Sequence, residues 1–137
     1  MAQSGRGYGG RMSRVAEQFR RLADIATRAA PQLRIDLAVG DLSEFPAYRD
    51  FAYCTDNTDP IRIVVSPRLE NQRAERIDGI LRHELGHAVY MLGGDRTHSE
   101  READKMAERL FGGIIRYDEF DVQTTGHGIT PRPRRLG

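Results

Sequence analysis

His83-Glu84-Leu85-Gly86-His87 is the stretch of this chain whose residue types and spacing can do chemistry. On a helix, residues four apart share a face, so both imidazoles reach one tetrahedral ion. Glu84 follows the first histidine directly. Its carboxylate then lies beside the ion, where it takes a proton from bound water without being a ligand. Zinc lowers the pKa of such a water from about 15.7 to about 7, so a hydroxide nucleophile exists at neutral pH. The plainer alternative, a surface helix or a satisfied core pair, needs half of the chain's four histidines to fall on this spacing by accident.

Glu100 and Asp104 form a second pair, again four apart, on a stripe shared with Ala103 and Ala107. Two carboxylates at that spacing repel by about 0.2–0.5 kcal/mol, and burying them unpaired would cost far more. A divalent cation and a metal-bound histidine resolve both problems. One carboxylate ligates, and the other accepts the histidine's remaining N–H. A solvated helix edge is the competing reading.

The elements that must position these residues follow from periodicity. From Ser13, the residues Val15, Phe19, Leu22, Ile25, Ala26 and Ala29 recur at three- and four-residue steps until Pro31, which predicts a helix. Leu33, Ile35, Leu37 and Val39 alternate with less apolar neighbours, as a half-buried strand does. Residues 41–50 hold Pro46 and read as a connection. Short strands are expected at Phe51–Thr55 and Ile61–Val65, separated by a turn from Asp56 to Pro60. Ser66-Pro67 carries the signal of a helix start, and a long helical pattern then runs from Ile77 to Leu92 and stops at Gly93-Gly94. A further helix over roughly 98–111 carries Ala103, Ala107, Leu110 and Phe111 on one stripe. Gly79 and Gly86 lie inside the long helix, where each costs about 1 kcal/mol against alanine, so close packing is expected there. The order is that of an α+β fold.

Composition bounds the rest. The chain has 137 residues, 39% hydrophobic and 30% charged, enough for one domain and too little for two. Trp is absent and the apolar runs are short, so no membrane span is expected. The single cysteine, Cys54, reads as a small buried hydrophobe in a reducing compartment, and the first dozen residues offer no secretory segment. A cytoplasmic protein is expected. The net charge of +1 is uneven: Arg6, Arg11 and Arg14 lie at one end, and Arg132, Arg134 and Arg135 at the other. All twenty acids face the other fifteen basic residues across 15–125, a balance of −5. We expect a flexible Gly/Arg-rich arm over 1–12, a domain over 13–125 and a basic Pro/Arg-rich tail over 126–137. Three arginines at each end without interleaved aromatics read as solubilising, and nucleic acid is not an expected partner.

His83-Glu84-Leu85-Gly86-His87-Ala88, followed by Ser99-Glu100-Arg101-Glu102-Ala103-Asp104, resembles the ImmA/IrrE-type zinc metallopeptidases and, more broadly, the gluzincins with H-E-x-x-H followed by E-x-x-x-D. The match covers about thirty residues, and this chain has a short His87–Glu100 linker. The resemblance implies a minimal zincin-like domain: N-terminal helix, small mixed sheet, H-E-x-x-H helix and ligand-bearing helix. It implies one zinc ion per chain held by His83, His87 and Glu100, Glu84 as the base, and hydrolysis of a protein or peptide substrate. The rival reading is a catalytically silent zinc-binding structural or interaction module, associated with a phage or mobile element. Retention of Glu84 argues against it, since a structural site needs no base.

Glu100 has a competing role. Thr97 to Glu100 spell a capping box, worth about 0.5–2 kcal/mol, which would make His98 and Glu102 the alternative ligands. Glu102 lies about 200° around the helix from Glu100 and should face solvent. His98 reads as an ordinary residue of the helix start, where holding a ligand rigid is harder. Glu100 as ligand and Asp104 as acceptor for a ligand histidine is the expected arrangement. A donor for a developing oxyanion is also needed, and His127 and Tyr117 are the candidates after the motif.

Overall fold

The helix α1 spans Ser13–Ala29 and buries Val15, Phe19, Leu22 and Ala26, the stripe that the periodicity predicts. The computed structural model describes residues 12–47, 50–55, 58–95 and 97–113. Met12 at the helix start provides no side-chain cap. The carboxylate of Glu70 does so from far along the chain, accepting from the backbone N–H groups of Arg14 and Val15, each at 2.9 Å. An acid at a helix N-terminus satisfies free N–H donors and opposes the positive end of the helix dipole.

Three strands follow: β1 at Ile35–Val39, β2 at Ala52–Cys54 and β3 at Ile61–Val65. Their order in the sheet is β1-β3-β2. β1 runs parallel to β3, with Ile35 opposite Ile61 and Val39 opposite Val65. β2 runs antiparallel to β3, with Ala52 opposite Val65 and Cys54 opposite Ile63. Alternation sorts the side chains onto two faces. Ile35, Leu37, Val39, Cys54, Ile63 and Val65 join the main core against the helices, while Ala38, Tyr53 and Val64 turn to the other face under Phe45. The Phe45 and Tyr53 rings stand 5.7 Å apart, and Tyr53 donates from its hydroxyl to Glu44 Oε1 at 2.6 Å. The fold is therefore mixed α+β, with three α-helices and a three-stranded mixed sheet among the described residues.

One expectation is corrected. Ser66 and Pro67 do not open the long helix. They open a 3-10 turn over Pro67–Asn71, in which Ser66 Oγ accepts from the Arg68 N–H at 3.1 Å. Gln72 and Arg73 are extended, and the helix α2 begins separately at Ala74 and runs to Leu92. The turn has tasks of its own: Leu69 is buried in the main core, and Glu70 is committed to α1.

α2 is the central helix. Ile80, Leu81 and Leu85 are fully buried, and burial of each such side chain is worth about 1.5–3 kcal/mol. The helix ends where Gly93 and Gly94 were expected to stop it, and Gly94 takes a φ of 87°. α3 spans Glu100–Phe111 and ends at Gly112, with a φ of 76°. Its buried residues are Ala103 and Ala107, with Leu110 and Phe111 half-buried. No described helix is long and apolar enough to cross a membrane. The expected arm through residue 11, the tail from 126, Tyr117 and His127 lie outside the described residues.

Candidate metal centre

The site begins with the packing of α2 on α3. Gly86 lies between the two histidines of α2, and a Cβ there would stand 2.2 Å from the carbonyl oxygen of Ala103. The absence of that one atom lets the α3 backbone approach α2 at the height of His83 and His87. Glu100 and Asp104, one helical turn apart on α3, then face the two imidazoles.

His83 Nε2 is 2.8 Å from Glu100 Oε1, His87 Nε2 is 3.0 Å from the same oxygen, and the two Nε2 atoms are 3.1 Å apart. His83 and His87 are fully buried. The Glu100 and Asp104 side chains each keep 18% exposure, so the cluster meets solvent on its carboxylate side. His83 Nδ1 lies 2.7 Å from Asp104 Oδ1. His87 Nδ1 lies 2.6 Å from His98 Nε2, and His98 Nδ1 lies 3.0 Å from the Asp95 carbonyl oxygen.

These contacts assign the protons. A carbonyl only accepts, so His98 donates from Nδ1 to the Asp95 carbonyl. His98 Nε2 is then the nitrogen that accepts from His87 Nδ1. A carboxylate likewise only accepts, so His83 donates from Nδ1 to Asp104. Both Nε2 atoms are thereby turned toward each other and toward the Glu100 oxygen. Three such atoms at about 3 Å call for positive charge among them, which a proton on a ring nitrogen or a metal ion supplies.

The donor set fits one. Two imidazole nitrogens and one carboxylate oxygen are the ligand types of catalytic zinc sites. Tetrahedral zinc at bond lengths near 2.0–2.1 Å holds its ligand atoms about 3.3 Å apart, only slightly wider than the observed triangle. Without an ion, a proton answers the same deficit. Burial lowers the pKa of His83, but hydrogen bonds to Asp104 and Glu100 and the charges of Glu84 and Asp104 outweigh it and push it up to about 10. Burial alone would raise the Glu100 carboxyl, yet the bonds from His83 and His87 hold it well below the usual carboxylate range. Glu84 is only 1% exposed, and its charge acts on His83 from the same helix.

The structure brings together His83, His87, Glu100 and Asp104, with Glu84 close enough for its charge to act on His83. The capping role that competed for Glu100 falls elsewhere. Ser99 Oγ accepts from the Glu102 N–H at 3.0 Å, and Glu102 Oε1 accepts from the Ser99 N–H at 2.7 Å. Thr97 instead donates its N–H to Asp95 Oδ1 at 2.9 Å. The box thus closes two residues later than the sequence suggested, because the helix begins at Glu100. Glu102 is exposed, away from the cluster.

His98 was underrated by sequence reasoning. It is buried against His87 and stacks on Tyr90, with ring centroids 4.5 Å apart and planes at 13°. The signal was present: three of the four histidines lie between 83 and 98. Cys54 is fully buried in the core. Comparison with family models, curated proteins and solved structures finds no match for this chain.

Proposed function

We propose that this protein is a zinc-dependent metallopeptidase built on a zincin-like domain, with a protein or peptide as substrate. The observation that carries the reading is the convergence of His83 Nε2, His87 Nε2 and Glu100 Oε1 within 3.1 Å, with a buried Glu84 whose charge acts on His83. Three protein ligands leave a fourth position for water or substrate. A zinc ion held there supplies Lewis acidity, lowering the pKa of water to about 7 and polarising a carbonyl.

The chain's own residues do the rest. His83, His87 and Glu100 hold the ion, and Asp104 fixes the His83 ring through Nδ1. Glu84 takes the proton of the attacking water and returns it to the leaving amine. Burial of Glu84 keeps that carboxylate out of bulk water, where proton transfer to solvent would compete. β2, the edge strand that packs on α2, offers an extended peptide a backbone to pair with.

The test is metal analysis after zinc reconstitution, followed by incubation with a mixed peptide library read by mass spectrometry. Binding of about one zinc per chain and cleavage that disappears in Glu84→Gln, with zinc retained, supports the reading. Absence of zinc uptake sinks it. Turnover unchanged in Glu84→Gln removes Glu84 as the base, and zinc uptake without any cleavage favours a silent zinc-binding module.

A further inference from the structure

We propose that His98 is a positioning residue of the metal centre, acting through His87 as a hydrogen-bond acceptor. The inference rests on the metal-site reading above and assigns a role to a residue outside the ligand set.

The two ligand histidines are secured by different chemistry. His83 gives its Nδ1 proton to a carboxylate, Asp104. His87 gives its own to another imidazole, 2.6 Å away, whose far nitrogen is fixed by the Asp95 carbonyl at 3.0 Å. The chain of donors runs His87 Nδ1–H to His98 Nε2, then His98 Nδ1–H to Asp95 O. The Asp95 carbonyl, which cannot donate, places a proton of His98 on Nδ1 and leaves Nε2 to accept from His87. His87 is thereby held with Nε2 aimed at Glu100 and His83. The Tyr90 ring, stacked at 4.5 Å, holds the His98 plane in the orientation this requires.

Partners of this kind usually matter by about 10–100-fold in metal affinity. The experiment uses the full-length chain and zinc itself. His98→Phe keeps an aromatic ring on Tyr90 but removes the acceptor, whereas His98→Gln returns an acceptor oxygen near the position of Nε2. We expect His98→Phe to lose about 10–100-fold in zinc affinity and His98→Gln to recover most of it. In the wild-type zinc protein, nitrogen NMR should detect coupling across the hydrogen bond between His87 Nδ1 and His98 Nε2. Unchanged zinc affinity in His98→Phe, or absence of that coupling, overturns the proposal. Should His98→Phe fail to fold, the wild-type coupling decides. A wild-type chain that takes up no zinc overturns the metal-site reading and this inference together. Normal uptake with an indifferent His98→Phe overturns this inference alone.

Discussion

Gly86 of α2 meets the backbone carbonyl of Ala103 in α3 so closely that a Cβ on it would lie 2.2 Å from the oxygen. The atom in the way is main chain, which cannot swing aside as a flexible side chain would. The distance between the two helices, and with it the reach of Glu100 and Asp104 to the histidines, depends on that glycine.

Gly86→Ala should therefore push α3 away from α2. Overpacking typically costs about 1–3 kcal/mol, and this case belongs at the upper end because backbone must move. Zinc affinity should fall together with the melting temperature, although no ligand is altered. A variant with wild-type melting and wild-type zinc titration would show that the helices do not pack as described.

The site should exchange a proton for its metal. With the His83 pKa pushed up to about 10, the metal-free site holds a proton at neutral pH that zinc must displace. Zinc affinity should rise about tenfold per pH unit toward pH 10, with about one proton released per ion. Calorimetry in buffers of different ionisation heat measures that release. None at pH 8 would contradict the assignment.

The same shifts fix the stability of the metal-free chain. His83 is raised above its ordinary 6.5, so its contribution is complete below that value and lost as pH rises through about 10. Glu100 is depressed from its ordinary 4.5, so its contribution is present above that value and lost on acidification. Chelator-treated protein should be most stable between these limits as far as this site is concerned, and zinc-loaded protein should hold its stability further into alkali. Melting temperatures recorded against pH with and without zinc would show whether the curves separate in that direction.

Ligand and cap can be told apart on one helix. Ser99→Ala should lower stability by about 0.5–2 kcal/mol and leave zinc bound, since it removes only the capping hydroxyl. Glu100→Ala should lose zinc severely, and Asp104→Ala by about 10–100-fold through a loosened His83. If Glu100→Ala behaved like Ser99→Ala, with metal retained, Glu100 would be structural only.

Much of this architecture is legible in the residues because its causes are local. The α1 stripe from Val15 to Ala26, the alternation of Ile61–Val65 and the glycines after Leu92 each act within a few residues of the element they define. The spacing of His83, Glu84 and His87 is of the same kind, as is that of Glu100 and Asp104. What escaped reading is what depends on a distant partner. Ser66-Pro67 looks the same ahead of a 3-10 turn as ahead of an α-helix, and the difference lies in Leu69 and Glu70, which are held by the core and by α1. Thr97 and Ser99 are both plausible caps by type, and only the docking of α3 on Gly86 selects the register. His98 is an ordinary helix-start residue until Tyr90 and His87 are folded around it.

α3 reaches the rest of the protein with small side chains, Ala103 and Ala107 being its buried residues. A metal ion shared between Glu100 and the α2 histidines would add to the attachment that Phe111, packed against the main core, gives it. Opening of α3 then need not wait for global unfolding. In amide hydrogen exchange, chelation should speed the α3 amides while those of β3 and the middle of α2 stay protected. The metal would thus act as a latch on one helix as well as a reagent.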